Sequence, residues 1–475
     1  MSQESPGEVA ERTGPLDAEP PRRRRGVHRG PTPPPSQSRT ALRSVGGNAL
    51  ARMIALPVSA LLGIAVTRLL IDEYGRASYA EYALVVGIGA LLPFKDLGLG
   101  ASIVNATAGS PDPRNDEHLR QVLVSVLRML SVWALVVVLG SLTISLLGLW
   151  RPLLGDALAP EGGAFAAASC VALLGVTLFV SVGQRVLLGL GKYAWVVVLN
   201  GFQTPIVLLV LLVMVWRHVG TGVYLAVVAY GATLLLAGVA WWMADRRIRP
   251  TLSRALRDSV RRDVRGAKVF GTAWPMLLLT VSVALAMQSD RVVLSHVSNL
   301  DQLAQYSLAA QMFNPLVGVV ATACFALWPI FAKARAQGRP SEVSPYQMAA
   351  LFGVVALFCA LVIAVLSGFL SDVASHGEIH LGIGILAAFA AMVVVQGVKY
   401  PLGMYLTDPK GLRFQAYMVA IMLPVNLGIS LVLASRFGAV GPVVGSVVGV
   451  IVFEIGANTL YIRRRQNPPR RRAAR

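Results

Sequence analysis

The lysines and arginines of this chain are arranged in a way that a membrane crossing explains. Long apolar segments alternate with short polar connections, and Lys and Arg crowd into every second connection while nearly vanishing from the others. A spanning helix needs about 20 mainly apolar residues at 1.5 Å rise each. Twelve segments meet that length: 46–70, 78–103, 121–150, 162–184, 193–216, 219–244, 269–297, 302–332, 345–371, 380–405, 414–435 and 438–462. Val219 to Ala244 and Gln302 to Ala332 carry no charge, whereas Lys95-Asp96 interrupts the second segment and Asp290-Arg291 the seventh. With an even number of spans and both termini in the cytosol, 33 of the 43 Lys and Arg fall in cytosolic segments. Only Arg76, Arg151, Arg217 and Arg436 fall in the outer loops. Basic residues are retained on the cytosolic side of a membrane protein, and a wrong count of spans would blur this asymmetry.

Composition agrees. Hydrophobic residues make up 55% of the 475, the mean hydropathy is +0.62, and only 14% are charged, against about 25% in a typical soluble protein. The net charge of +19 sits mostly in two tails and one loop. That placement fits topology control and anionic membrane lipids rather than nucleic acid. The expected organisation is a disordered basic cytosolic arm over 1–45, six spans over 46–244, a basic cytosolic linker over 245–268, six spans over 269–462, and a basic tail over 463–475. The arm holds Arg22 to Arg25 and Pro33 to Pro35 but no apolar run, so it does not read as a secretory signal.

Several function classes lose support. No Walker A sequence is present. Cys170, Cys324 and Cys359 are an odd, scattered set inside apolar segments, which suits neither a disulfide framework nor a metal site. The six histidines are scattered, and no Ser/His/Asp set stands out. The outer loops are short, with little room for the acceptor of a sugar polymerase or ligase. The expectation is a protein that is not an enzyme, with no catalytic residues, no bound metal and no cofactor.

The two halves share a phrase. Arg68-Leu-Leu-Ile is followed by Tyr79-Ala-Glu-Tyr-Ala-Leu, and Arg291-Val-Val-Leu by Leu303-Ala-Gln-Tyr-Ser-Leu. The separations from Arg68 to Tyr82 and from Arg291 to Tyr306 are 14 and 15 residues. Since each half has an even number of spans, the copies run the same way, as in transporters built from parallel repeats. Chance similarity in apolar text is the competing explanation.

The stretch from Tyr79 to Leu84, followed by Phe94-Lys-Asp-Leu-Gly-Leu-Gly-Ala-Ser-Ile-Val, resembles the second helix of Wzx-type polysaccharide flippases. Ser289-Asp-Arg-Val-Val-Leu with Tyr306-Ser-Leu-Ala-Ala-Gln resembles the start of their second lobe. These flippases belong to the multidrug/oligosaccharidyl-lipid/polysaccharide (MOP) exporter superfamily, and the resemblance covers residues 45–463. It implies an all-α integral membrane fold of about twelve helices, in two pseudo-symmetric six-helix lobes around a central cavity. It also implies alternating-access transport of a polyprenyl-pyrophosphate-linked glycan across the cytoplasmic membrane, with a glycan polymerase and glycosyltransferases as partners. Related lipid II flippases often carry two extra helices, for which no room remains. A cation-coupled multidrug exporter of the same superfamily, a lipid II-type flippase and a non-transporting scaffold for glycan assembly are the alternatives.

Six basic residues lie inside spans: Arg52, Lys95, Arg128 and Lys399 toward the cytosolic side, Arg68 and Arg291 toward the outer side. Charges at such depth usually face a cavity or a partner, and arginine grips phosphate oxygens bidentately. These six are therefore the candidates for binding the pyrophosphate, although Arg52 and Arg128 could equally snorkel to the interface. Asp96, Asp290 and Glu454 are candidates for ion pairs or for coupling to H⁺ or Na⁺; the membrane potential is another source of drive. Tyr82, Tyr306, Asn200, Gln203, Gln288 and Gln311 are candidates for a sugar path, with packing and helix–helix hydrogen bonding the plainer role. Pro93 and the glycines of Leu97 to Ala101 suggest a kink or a close helix contact.

Overall fold

A computed structural model describes residues 46–466, except 48–49, 51–53, 55–57, 60, 64, 76–77, 79–81, 83–84, 87–96, 151, 153–161, 219–223, 299, 342 and 376–379. The basic arm, Arg52, Lys95, Asp96 and the end of the tail thus lie outside the described residues, as do the side chains of Gln288 and Arg291.

Among the described residues the chain is helical, with no strand. Residues 65–75 close the first apolar segment. The helices that follow are α1 (Gly100–Gly109), α2 (Glu117–Leu146), α3 (Gly163–Val180), α4 (Val182–Gly189), α5 (Tyr193–Gly201), α6 (Gln203–Trp216), α7 (Leu225–Ile248) and α8 (Thr251–Val260). Then come α9 (Phe270–Val297), α10 (Leu300–Cys324), α11 (Leu327–Ala336), α12 (Pro345–Ser375), α13 (Ile383–Tyr405), α14 (Pro409–Phe437) and α15 (Val440–Gly449). A π-helical turn, Val450–Gly456, joins α15 to α16 (Ala457–Gln466). Nine of the described helical segments are long and apolar enough to cross a membrane. Their outward sides carry large apolar residues, such as Val354, Phe358 and Val365 on α12. That is the surface of a multi-pass membrane protein, in which lipid takes the place of water around the helices.

Local chemistry sets the boundaries. Asp116 caps α2 by accepting from the Leu119 N–H at 2.9 Å, and Asp408 caps α14 from the Gly411 N–H with Pro409 in the first turn. Both arrangements use a side-chain oxygen for one of the orphan N–H groups of a helix start. The spans read as single segments are often broken: at Ser181, at Phe202, at Phe325-Ala326, and at the π-helical turn. One more difference concerns the third span, which begins at Glu117 rather than 121. The cap at Asp116 extends it one turn beyond its apolar run.

The helices pack in two groups. In the first, α2 lies on α3 and α8, and α7 on α3, α4 and α6. In the second, α13 packs on α10 and α12, and α14 on α9 and α15. Each group has its own apolar core, around Leu123, Leu127, Val186 and Ala244 in one and around Phe313, Leu327, Phe352 and Phe389 in the other. We term the side bearing α8 and the arginine-rich linker the basic face.

The groups meet near the basic face, through α1 against α11 and α9. Gly98, just before α1, makes one of these contacts possible. Its φ is +71°, and a Cβ there would sit 2.1 Å from the Ala273 carbonyl oxygen of α9. The φ alone would cost a larger residue about 1–2 kcal/mol, and the clash adds to it. Gly98→Ala is therefore expected to lower the thermal midpoint of the purified protein and to loosen α1 from α9. An unchanged midpoint, with α1 as protected from hydrogen exchange as in the parent, would contradict this contact.

Candidate functional site

Three polar assemblies stand out against the apolar body. The first is a neutral seam between the two groups of helices. Asn105 on α1 donates from Nδ2 to the Thr407 carbonyl at 2.6 Å, and its Oδ1 accepts from Trp328 Nε1 on α11 at 2.9 Å. Trp328 is 2% exposed, in a cluster with Ala101, Val104, Ala108, Leu188, Ala332 and Leu412. Tyr193 meets Phe325 beside it, ring centroids 5.2 Å apart. Small residues let the backbones approach, with Gly109 against Ala336. A buried amide left unpaired in an apolar seam would cost several times what its hydrogen bond gains, so Asn105 holds both partners in register.

Below the seam, Arg335 donates to the Tyr405 carbonyl at 2.7 Å and to Thr407 Oγ1 at 2.8 Å. The neighbouring Asp408 takes both Nη groups of Arg465, each at 2.8 Å. Burial pushes the Asp408 carboxyl upward, but the Arg465 fork and the Arg335 charge outweigh it, and the net position is below the ordinary carboxylate value. The α16 end of the basic tail is thus tied to the turn between α13 and α14, with Tyr461 stacked on Phe414 at 4.2 Å.

The second assembly lies among α9, α10, α14 and α15. Asp290 is 5% exposed. Its Oδ2 accepts from Ser446 Oγ at 3.2 Å and from the Tyr306 hydroxyl at 3.4 Å. Asn426 donates to the same serine at 3.1 Å. The Asn426 Oδ1 and the Ser430 Oγ, one helical turn apart on α14, are buried without a partner. Among the described residues no Lys or Arg pairs with Asp290. The result is a carboxylate surrounded by neutral oxygens.

The third is an ion pair. Lys399 Nζ on α13 lies 2.9 Å from Glu454 Oε2 in the π-helical turn, and both side chains are largely buried. The extra residue in a π-turn rotates a side chain out of the ordinary helical register, a feature frequent at functional sites. Here it carries Glu454.

The remaining candidates are dispersed. Arg128 does not face an open path: its guanidinium donates to the carbonyls of Ser259 and Val264 at 3.0 Å, and to those of Asp258 and Arg261. It fastens the linker to α2. Arg68 is 84% exposed and pairs with Asp72 at 3.6 Å, a surface contact of small energetic weight. Tyr82 packs between two apolar clusters, while the Tyr306 ring meets Phe389 at a tilt, centroids 5.4 Å apart, as well as reaching Asp290. Asn200 is exposed and accepts from Gln184 at 3.4 Å; Gln203 is half-buried and Gln311 exposed. Asn105, Arg335, Asp408 and Arg465 escaped the sequence reading. Asn105 left one faint signal, a lone amide inside the apolar run from Ala101 to Ala108.

Comparison with known proteins completes the description. Residues 41–335 match the family model described as polysaccharide biosynthesis protein. No protein of curated function matches in sequence. Among solved structures, the chain is similar to an outward-facing multidrug resistance MATE family transporter of the MOP superfamily, with a TM-score of 0.67 at 14% identity over 90% of this chain and 97% of the other. A MOP superfamily transporter from Pyrococcus furiosus gives 0.64 at 15% identity over 90% and 97%. The Vibrio cholerae MATE transporter VcmN in the bent form gives 0.61 at 15% identity over 89% and 98%. At these identities the likeness is one of fold.

Two expectations follow. Removing either Lys399 or Glu454 alone strands a buried charge and should destabilise the protein by about 3–5 kcal/mol. The double change to Met and Leu should restore much of that, read as thermal midpoints in detergent; additive losses would mean that the pair does not form. For Asp408, a lowered folded-state value means stabilisation that is present above the unfolded value, near pH 4. It is lost as pH falls through the folded one. Asp408→Asn should therefore lower stability at neutral pH and flatten its acid dependence below about pH 4. An acid limb identical to the parent's would refute the assignment.

Proposed function

The chain belongs to the polysaccharide biosynthesis protein family, and we propose that it is a flippase. In this reading it carries a polyprenyl-pyrophosphate-linked oligosaccharide from the inner to the outer leaflet of the cytoplasmic membrane, for assembly of cell-surface polysaccharide. The observation that supports this most is the family match over residues 41–335 on a MOP-type transporter fold. The concentration of Lys and Arg on one set of connections supports a cytosolic position for the basic face and both termini. The seam of Asn105, Trp328 and Thr407 then closes the cytosolic side, and alternating access consists of parting this seam while the opposite ends of the lobes come together.

Cargo chemistry follows from charge. A pyrophosphate is anionic, and Arg52, Lys95 and Arg291 are cations that the sequence places inside spans, which suits them to such a cargo. Lys399 joins them when Glu454 releases it, so that an arriving anion and Glu454 compete for one ammonium. Arg128 acts at a distance, by holding the linker. Two negative charges moving outward through an inside-negative potential gain about 2.3 kcal/mol per charge per 100 mV, roughly 4–5 kcal/mol in all.

The cluster around Asp290 suits a coupling cation. Two carboxylate oxygens, the Tyr306 and Ser446 hydroxyls, and the unpartnered oxygens of Asn426 and Ser430 form a set that Na⁺ or H⁺ would satisfy. Binding there draws together four helices of the second lobe.

The test is reconstitution in proteoliposomes with a defined lipid-linked glycan, followed by its appearance in the outer leaflet. Arg52→Ala, Lys95→Ala, Arg291→Ala and Lys399→Ala should each slow transfer at normal protein levels, whereas Asp290→Asn should abolish its dependence on the Na⁺ or H⁺ gradient. Full transfer by all four cation variants would sink the cargo assignment. An intact gradient dependence in Asp290→Asn would remove the coupling role and leave the flippase reading standing.

A further inference from the structure

The linker between the two lobes is more than a tether. Over residues 246–268 it carries nine Lys and Arg against Asp258 and Asp263. The two acids are already taken, Asp258 by Arg120 and Asp263 by Arg261. Arg254, Arg257, Arg262, Arg265 and Lys268 are exposed and have no ion pair among the described residues.

The linker is nevertheless built, not loose. Arg128 holds carbonyls of the last turn of α8 and of the segment after it, Ser125 Oγ donates to the Ala267 carbonyl at 2.8 Å, and the Ala267 N–H donates to the Gln121 carbonyl at 3.1 Å. It therefore runs along α2 between residues 120 and 128. Beyond that point the exposed side of α2 turns to large apolar residues, beginning with Val132 at 64% exposure. The linker ends where the lipid-facing surface starts, which is the depth of phospholipid headgroups.

The surface of α8 is divided to match. Thr251, Leu252 and Ala255 face the protein. Leu256 and Val260, one turn apart, are exposed, Val260 by 84%. Arg254 and Arg257 form a separate stripe, roughly 100° further around the helix. Exposed Phe270 follows the linker, and exposed Trp242 precedes it with the Arg246 guanidinium over its ring at 4.1 Å. Apolar and basic stripes on one short helix, bracketed by aromatic residues, are the chemistry of a helix lying in a membrane interface.

We propose that α8 and the linker form an interfacial platform that binds anionic phospholipid headgroups of the inner leaflet, with Val260 and Leu256 seated among the upper acyl carbons and Arg254, Arg257, Arg262 and Arg265 on the phosphates. Through Arg128 the platform is tied to α2, so the lipid surface holds the first lobe at a fixed level. This rests on the membrane placement of the chain and not on its cargo.

The full-length protein in nanodiscs tests it. A spin label at Val260→Cys, with Cys170, Cys324 and Cys359 replaced by Ala, reports whether the site meets oxygen from the bilayer or a water-soluble nickel relaxant. With phosphatidylglycerol present the label is expected to be oxygen-accessible, and with phosphatidylcholine alone it shifts toward water. In parallel, native mass spectrometry of the parent should show retained phosphatidylglycerol in preference to phosphatidylcholine. Arg254→Gln, Arg257→Gln, Arg262→Gln and Arg265→Gln together should cut that preference by roughly fivefold or more, the effect of at least one surface charge. A label in water under both lipids, or burial that ignores lipid charge, overturns the proposal. So does an undiminished preference in the fourfold variant. If a small mole fraction of polyprenyl pyrophosphate seats the label where phosphatidylglycerol does not, the platform is a cargo dock and the proposal is again overturned.

Discussion

A bilayer interior offers no hydrogen bonds, so each polar atom carried into it must find its partner within the protein. That constraint orders the whole molecule. It makes the described chain helical, and it decides where the two groups of helices join. Asn105 is costly alone and inexpensive between Trp328 and Thr407, so the seam forms where all three converge. It also accounts for Lys399 and Glu454, two ionisable residues from different helices that lie within 2.9 Å of each other.

The spans from Glu117 onward were largely legible, because apolar runs of the required length alternate with basic and non-basic connections. Their internal breaks were not. Hydropathy is blind to a π-turn or to the interruption at Phe325, since the residues on both sides remain apolar. Among the site candidates, Tyr306 is visible in the repeated phrase and Asp290 as a charge inside a span, and they do meet. Lys399 and Glu454 were each visible as intramembrane charges, but nothing in the chain says that residues 55 positions apart share a site. Their pairing is a tertiary fact.

Arg128 shows the opposite error. Counting from the start of an apolar run put it inside the membrane with the other cations. The helix starts earlier, and the linker folds back over that stretch to present its carbonyls. A basic side chain that looks buried in lipid by sequence is instead covered by another part of the protein. Arg335, Asp408 and Arg465 were passed over for the converse reason: as members of polar connections they looked like solvated charges, yet they fasten the α13–α14 turn and the tail beneath the seam.

The seam itself is made almost entirely of uncharged groups. Each neutral hydrogen bond contributes only about 1 kcal/mol net, and the flanking contacts are apolar, from Gly109 against Ala336 to the rings of Tyr193 and Phe325. Such a joint resembles a latch more than a weld. In the alternating-access cycle proposed above, it keeps the cytosolic side shut until a bound anion or an occupied cation site biases it toward release. Salt bridges in the same apolar surroundings would leave bare charges whenever the two groups of helices part. Under that proposal, neutrality at the closing surface is a kinetic property, one that eases the reset of the cycle.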